Sequence, residues 1–180
     1  MSFVILDRDG VINYDSSEYI KTPAEWVPIP GSLEAIALLN RAGFEVLIAT
    51  NQSGVARGHY THEMLNQIHE KFLQLLTLQG GRVKEIFYCP HHPDDDCFCR
   101  KPKPGMLHQM REKYAIPLAE TFFVGDSLVD IEAARAAQCR PLLVLTGRGR
   151  STQRKLSPEY DVPTFIDLAE AASFIIEQQS

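Results

Sequence analysis

A chain of 180 residues is long enough to bury a sizeable core within one domain. Its 44% hydrophobic and 23% charged residues are the proportions of a soluble globular protein. The net charge of −5 argues against a nucleic-acid binder, and no apolar run is long enough to span a bilayer.

Phe3-Val4-Ile5-Leu6 is a short apolar run with β-branched residues and predicts a buried strand. It ends in Asp7-Arg8-Asp9-Gly10, two carboxylates separated by one residue and then a glycine that lets the backbone turn sharply. These acids also arrive too early for a secretory signal, so the cytoplasm is the expected compartment. A long loop follows from Gly10 to Pro30, punctuated by Pro23, Pro28 and Pro30, with a polar middle at Asp15, Ser16, Ser17 and Glu18. Ser32 is expected to cap a helix carrying Leu33, Ile36, Ala37 and Asn40 at helical spacing, and Gly43 to end it.

Phe44 to Ala49 predicts a second buried strand, with Thr50-Asn51-Gln52-Ser53-Gly54 leaving its carboxyl end. Thr61 opens a helix that places Met64, Leu65, Ile68, Phe72, Leu75 and Leu76 on one face, closed by Gly80-Gly81. Val83 to Tyr88 reads as a third strand running into a cysteine cluster. A helix from Met106 to Tyr114 follows Pro104-Gly105, and Thr121 to Gly125 makes a fourth strand ending at Asp126. A helix through Ile131, Ala134 and Ala137 leads to a fifth strand, Leu142 to Leu145. Then come a basic turn, Gly147-Arg148-Gly149-Arg150, a sixth strand near Thr164 to Ile166, and a closing helix from Leu168 to Glu177.

Strands alternating with helices imply parallel crossovers, hence an α/β fold with one doubly wound parallel sheet, in a single domain over residues 1–180. No repeat, low-complexity tract or linker interrupts it. In such sheets ligands bind beyond the carboxyl ends of the strands, at the switch point. Asp7, Asp9, Thr50, the cysteine cluster and Asp126 each leave such an end.

Phosphoryl transfer needs a nucleophile, cations against the oxygen charges, and a proton for the leaving group. Asp7 is the candidate nucleophile because it sits nearest the strand, where its orientation is most fixed. Asp9, two residues on, faces the same side in an extended chain and has room to protonate the leaving oxygen. Thr50 and Ser53, with the backbone amides of Asn51 and Gln52 between them, can donate to phosphate oxygens. Arg100-Lys101-Pro102-Lys103 supplies cations, with Lys101 the one expected to face the phosphoryl group. Asp126 and Asp130 offer oxygens to a hard cation, most plausibly Mg²⁺.

Three of the four cysteines are clustered. Cys89, Cys97 and Cys99, with His91 or His92, offer the donor set of a closed tetrahedral zinc site, which is structural and not catalytic. Arg100 and Lys101 follow Cys99 directly, so fixing the loop fixes the cations. Cys139 reads as a small buried hydrophobe.

The order Asp7-Arg8-Asp9-Gly10, Thr50-Asn51-Gln52-Ser53-Gly54, Arg100-Lys101-Pro102 and Gly125-Asp126 through Asp130 resembles the haloacid dehalogenase superfamily of aspartate-nucleophile phosphatases, over nearly the whole chain. That resemblance implies an aspartyl-phosphate on Asp7 and an acid at Asp9 that later activates water. It implies Thr50 and Lys101 steadying the phosphoryl group, and Mg²⁺ held by Asp7, the Asp9 carbonyl and Asp126. Many members carry a separate cap domain. The stretches Gly10 to Ser32 and Gly54 to Arg100 are short for one, so an open site with specificity set by loops is expected.

The zinc loop joined to Arg-Lys-Pro is similar to the branch that contains D-glycero-D-manno-heptose 1,7-bisphosphate phosphatases and histidinol-phosphate phosphatases. It favours His91 as the ligand. It implies removal of a 7-phosphate in the making of an ADP- or GDP-heptose precursor for lipopolysaccharide or surface-layer glycans. Histidinol phosphate is the alternative substrate, and a phospho-receiver signalling domain the alternative of another class. Arg57 and Arg100 are then candidates for the remote phosphate, since guanidinium grips phosphate as a fork. Asp15, Ser16, Ser17 and Glu18 are candidates for sugar hydroxyls, while Arg148 and Arg150 are expected on a solvated loop. The expected partner is a small phosphorylated sugar, with no nucleic acid or membrane, and the chain is expected to be a monomer.

Overall fold

The computed structural model describes residues 1–179. Its central strand is β1 (Ser2–Leu6), in which Val4, Ile5 and Leu6 have no exposed surface. A strand buried on both faces reads as a continuous apolar run, which is why this one lacks polar alternation. It pairs in parallel with β2 (Phe44–Asn51) on one side and β4 (Phe122–Gly125) on the other. With β3 (Glu85–Cys89), β5 (Arg140–Val144) and β6 (Thr164–Phe165) the six-stranded order is β3-β2-β1-β4-β5-β6, every pair parallel. Strand order reverses beside β1, so the crevice of the switch point opens where Asp7 and Asp9 emerge.

The pleat sorts the core into two layers. Val4, Leu6, Val46, Ile48 and Val124 face one cluster with α1 (Ser32–Arg41), α2 (His62–Leu78) and α6 (Leu168–Glu177). Phe3, Ile5, Leu47, Ala49 and Phe123 face the other, with α3 (Gly105–Tyr114) and α4 (Leu128–Ala136). Each such side chain withdrawn from water stabilises the fold by about 1.5–3 kcal/mol.

The long connection after β1 contains no helix beyond a single turn at Pro23–Glu25, yet it is anchored. Trp26 is fully buried with its ring 5.2 Å from that of Phe72 on α2. Lys71 of the same helix donates to the carbonyls of Pro23 and Trp26, at 2.6 and 2.7 Å. The polar stretch Asp15–Ser17 therefore hangs from a fixed base.

Several local expectations need correction. Ser32 is not the cap of α1: Gly31 precedes the helix at φ 84°, and the Ser32 hydroxyl donates to the Ile12 carbonyl at 2.6 Å, a tertiary acceptor that outcompetes the helix end. The expected basic turn opens a short helix, α5 (Gly149–Lys155). A Cβ at Gly149 would collide with the Val144 carbonyl, so the chain can turn this tightly only there. β2 continues through Thr50 and Asn51, and β3 begins at Glu85 and extends to Cys89. Thr61 does cap α2, accepting from the Met64 amide at 3.1 Å. Among the described residues no helix is long and apolar enough to cross a membrane.

Candidate active site

Asp7 extends β1 by one residue, its amide donating to the Val124 carbonyl at 2.9 Å. That ladder bond orients a buried carboxylate whose Oδ1 accepts from the Arg8 amide at 2.8 Å and lies 2.9 Å from Lys101 Nζ. The chain then turns at Gly10 (φ 83°), where any Cβ would collide with the Asp126 carboxylate. Glycine here lets the β1 loop lie directly against the end of β4.

Lys101 is 2% exposed, and its Nζ reaches three oxygens: Asp7 Oδ1, Asp130 Oδ1 at 2.7 Å and the Ala49 carbonyl at 2.7 Å. Burial opposes its charge, but Asp130 and Asp7 outweigh burial and hold its pKa above the ordinary lysine value. Asn51, expected beside substrate, lines the cavity and also clasps the lysine's backbone. Its Oδ1 accepts from the Lys101 amide and its Nδ2 donates to the Lys101 carbonyl, each at 3.1 Å.

Asp126 and Asp130 divide into two roles. Asp130 Oδ2 accepts from the amides of Asp126 and Ser127 and from the Ser127 hydroxyl, closing the first turn of α4, while its Oδ1 holds Lys101. It is a bracket. Asp126 accepts from the Arg148 amide through Oδ2 at 2.8 Å and has no partner on Oδ1. One oxygen each of Asp7, Asp126 and Asp130 lie within 4.8 Å of one another. Burial, then the charge of Asp130, push the Asp7 carboxyl up to about 7. Burial, then Asp130 and Asp7, push Asp126 up to about 9. Three buried carboxyls gather around one lysine that contacts two of them, a surplus of negative charge that fits a hard divalent cation bound by one or two carboxylates and by phosphate oxygens.

Asp9 is held differently. Its Oδ1 accepts from Arg8 Nε and Nη2, at 3.1 and 2.8 Å, and from Asn13 at 2.9 Å, while its Oδ2 accepts from Gln52 Nε2 at 2.9 Å. Burial would raise its pKa, but the Arg8 guanidinium and these hydrogen bonds hold it below the ordinary aspartate value. The same Gln52 amide donates to Thr50 Oγ1 at 2.9 Å.

These groups meet in a cavity of about 320 Å³ lined also by Asp15, Ser16, Ser17, Ser53, Arg57 and Arg100. Glu18 is not in its wall: it is exposed, and the Lys21 side chain donates to its backbone carbonyl. Arg148, expected on a solvated loop, lines the cavity, with Nε 3.1 Å from Asp15 Oδ2. Its place at the carboxyl end of β5 was the available signal. Tyr60, which donates to Gln52 Oε1 at 2.5 Å, was carried by no motif. Arg100 Nη1 is buried with no hydrogen-bond partner, a cationic donor aimed at nothing the protein supplies.

Cys89, His91, Cys97 and Cys99 present donor atoms that all lie within 4.8 Å of one another. Cys89 Sγ is 3.6 Å from Cys97 Sγ and 3.5 Å from His91 Nδ1, which is 3.3 Å from Cys99 Sγ. A tetrahedral zinc ion with bonds of about 2.0–2.3 Å needs edges of about 3.3–3.8 Å, so the loop fits that metal. His92 is otherwise engaged: its ring accepts from the Asp94 amide at 3.2 Å and caps the short turn Pro93–Asp95.

The HAD-hydrolase-like family model matches residues 98–171. A D-glycero-beta-D-manno-heptose-1,7-bisphosphate 7-phosphatase of Pseudomonas aeruginosa is 55% identical, covering 98% of this chain and 98% of its own. The crystal structure of D,D-heptose 1,7-bisphosphate phosphatase from Bordetella bronchiseptica, complexed with magnesium and phosphate, matches at a TM-score of 0.96 and 47% identity, covering 99% of each chain. The corresponding Burkholderia thailandensis structure matches at a TM-score of 0.78 and 38% identity, covering 98% of this chain and 99% of its own.

Proposed function

This chain belongs to the haloacid dehalogenase-like hydrolases and is a phosphoric monoester hydrolase, and we propose that it removes the 7-phosphate of D-glycero-D-manno-heptose 1,7-bisphosphate. The observation that carries the substrate is Arg100, which lines the cavity together with Arg57 and whose guanidinium has one nitrogen, the buried Nη1, without a protein partner. A second phosphate, held away from the reacting one, satisfies that donor with a charge-assisted bond. Histidinol phosphate would bring an amine and an imidazole instead, for which guanidinium groups are the wrong partners.

Lys101 and the Arg8 amide hold Asp7 by Oδ1, which leaves its other oxygen to attack phosphorus. The Asp7 oxygen–phosphorus bond forms as the phosphorus–sugar oxygen bond breaks, and Asp9 gives the departing oxygen its proton. The free protein holds Asp9 ionised, and the negative charge of an arriving phosphate favours its protonated form. Asp9 then takes a proton from water, which attacks phosphorus and frees Asp7. Thr50, Ser53 and Lys101 present donors to the phosphoryl oxygens throughout. Magnesium, which Asp7, the Asp9 carbonyl and Asp126 would hold, supplies charge neutralisation to the phosphoryl oxygens.

The test is a comparison of kcat/KM on heptose bisphosphate, histidinol phosphate and a simple aryl phosphate, for the parent and Arg100→Ala. The parent should prefer the bisphosphate. The variant should lose about tenfold to a hundredfold on the bisphosphate and less than threefold on the aryl ester, the loss of one charged hydrogen bond. A preference for histidinol phosphate, or an equal loss on both esters, refutes the assignment.

Magnesium affinity should depend on pH with a fixed sign. Burial and the neighbouring carboxylates push Asp7 up to about 7 and Asp126 up to about 9, and only the ionised forms bind the ion, so protons compete with it at neutral pH and below. Calorimetric titration should show affinity tightening by about tenfold per pH unit between 7 and 9, with proton release. A pH-independent affinity contradicts the ligand set.

Zinc, held by Cys89, His91, Cys97 and Cys99, is structural in this reading and keeps Arg100 and Lys101 in register. Chelating it should lower Tm by about 5 °C or more and reduce kcat/KM, since a closed metal site contributes directly to folding. Unchanged Tm and kinetics after verified zinc removal would reject that role.

A further inference from the structure

Arg8 stands between the two catalytic aspartates and is completely buried. Its guanidinium divides its donors. Nε and Nη2 both go to Asp9 Oδ1, and Nη1 lies 3.1 Å from His69 Nε2. Arginine has donors only, so His69 Nε2 is the unprotonated acceptor and the ring is neutral. Burial, then the Arg8 charge beside it, agree with that assignment by holding the His69 pKa down near 3. His69 is on α2, next to Ile68 in the stripe that packs against the sheet, with its ring centroid 6.0 Å from that of Tyr88, and burying a polar ring there is costly unless its nitrogens are bonded.

The consequence is an asymmetric carboxylate. Asp9 Oδ1 accepts from Arg8 twice and from Asn13 once, so its lone pairs are spent. Oδ2 accepts from Gln52 alone, and Gln52 is braced by the Tyr60 hydroxyl. A buried guanidinium is costly to keep, and an apolar pair of similar size would pack as well. What the guanidinium adds is a carboxylate fixed by one oxygen and open at the other.

We infer that Arg8 and His69 are positioning residues for Asp9, which hands its proton to the leaving oxygen, and later takes one from water, through Oδ2. The inference rests on the assignment of Asp9 as acid and base above. Proton donation matters most when the leaving alcohol is a poor leaving group, so a misaimed Asp9 hurts alkyl phosphates more than aryl phosphates. A merely structural histidine would hurt both alike.

The experiment measures kcat/KM on heptose bisphosphate and on p-nitrophenyl phosphate at saturating Mg²⁺, for the parent, His69→Met, His69→Gln and Asp9→Asn. His69→Met, which fills the space without an acceptor, should lose about tenfold to a hundredfold on the alkyl ester and under threefold on the aryl ester. His69→Gln restores a neutral acceptor and should recover the alkyl rate to within about threefold of the parent. Equal losses on the two esters, no loss, or no recovery with glutamine in a variant of parental Tm overturns the inference. If His69→Met melts below the assay temperature, Arg8→Lys carries the same test, because an ammonium cannot span Asp9 and His69 as a planar fork does. It should show the same alkyl-selective loss, and an unselective one overturns the inference. A fully active Asp9→Asn would instead refute the role of Asp9 itself.

Discussion

Replacing Asp7 with asparagine should lower turnover by about three orders of magnitude or more while leaving the fold intact, because it deletes the proposed nucleophile and almost nothing else. The amide is nearly isosteric, its oxygen can still accept from the Arg8 amide, and the ladder bond to Val124 comes from the backbone. Stability should move in the opposite direction to activity. Burial and the charge of Asp130 raise the Asp7 pKa from 3.8 to about 7, so ionised Asp7 is a burden on the metal-free fold. For a folded pKa above the unfolded one, the stabilisation is complete below about 4 and is lost as pH rises through 7. The variant has no such group. Without Mg²⁺ its Tm should therefore match the parent's below about pH 4, pull ahead as pH rises and exceed it most above pH 7, offset in part by the partner that Lys101 loses. Steady-state rates on an aryl phosphate and melting curves against pH check both halves. A companion measurement on the parent, single turnover in ¹⁸O water, should place label in the Asp7 carboxyl. A variant that hydrolyses esters at the parental speed removes Asp7 from the reaction.

Most of the residues that were legible in the sequence share one property: they stand at the carboxyl end of a parallel strand, Lys101 being carried there by the loop after β3. Asp7 and Asp9 follow β1, Asp126 follows β4, Thr50 is the penultimate residue of β2, and Cys89 ends β3 where the cysteine loop begins. The switch-point rule therefore gathers them before any coordinate is known. Arg148 obeys the same rule at the end of β5, but a Gly-Arg-Gly-Arg run resembles an ordinary solvated turn. Its hold on Asp126 is through a backbone amide, which no side-chain pattern records. Asp130 was ambiguous for a different reason: four residues after Asp126, it suits a cation and equally suits the first turn of a helix. Three bonds to the Asp126 and Ser127 donors engage it in the helix turn, while one of its oxygens also lies within 4.8 Å of one each from Asp7 and Asp126. His69 was hidden by its neighbours, since a stripe containing Leu65, Ile68, Phe72 and Leu76 explains α2 without it. A polar ring within an apolar face was the available clue. Ser32 failed as a cap because a capping hydroxyl needs no tertiary acceptor, and here the Ile12 carbonyl offered one.

Lys101→Met should be the most damaging single change to stability and nearly as damaging to activity as losing the nucleophile. Methionine fills the aliphatic volume, including the contact with the Phe123 ring, so the change isolates the ammonium. Among the described residues that ammonium is the sole cation touching Asp7 and Asp130, and it also satisfies the Ala49 carbonyl. Removing one partner from a buried ion cluster leaves uncompensated charge, at a cost of about 3–5 kcal/mol. A fall in Tm by many degrees is expected in metal-free buffer. Because the damage is stranded negative charge, neutralising one of its members should repair part of it. The double variant Lys101→Met/Asp7→Asn should melt above Lys101→Met alone, a coupling of about 1–3 kcal/mol in a mutant cycle. On activity, the loss of a fixed cation beside the phosphoryl group should reduce kcat by about a hundredfold to a thousandfold. Arginine should not rescue it: a planar fork cannot reproduce three convergent bonds at 2.7–2.9 Å from a point donor. If Lys101→Met and the double variant melt together, the three-carboxylate cluster is not under the tension described. Asp7 would then owe its orientation to the strand alone.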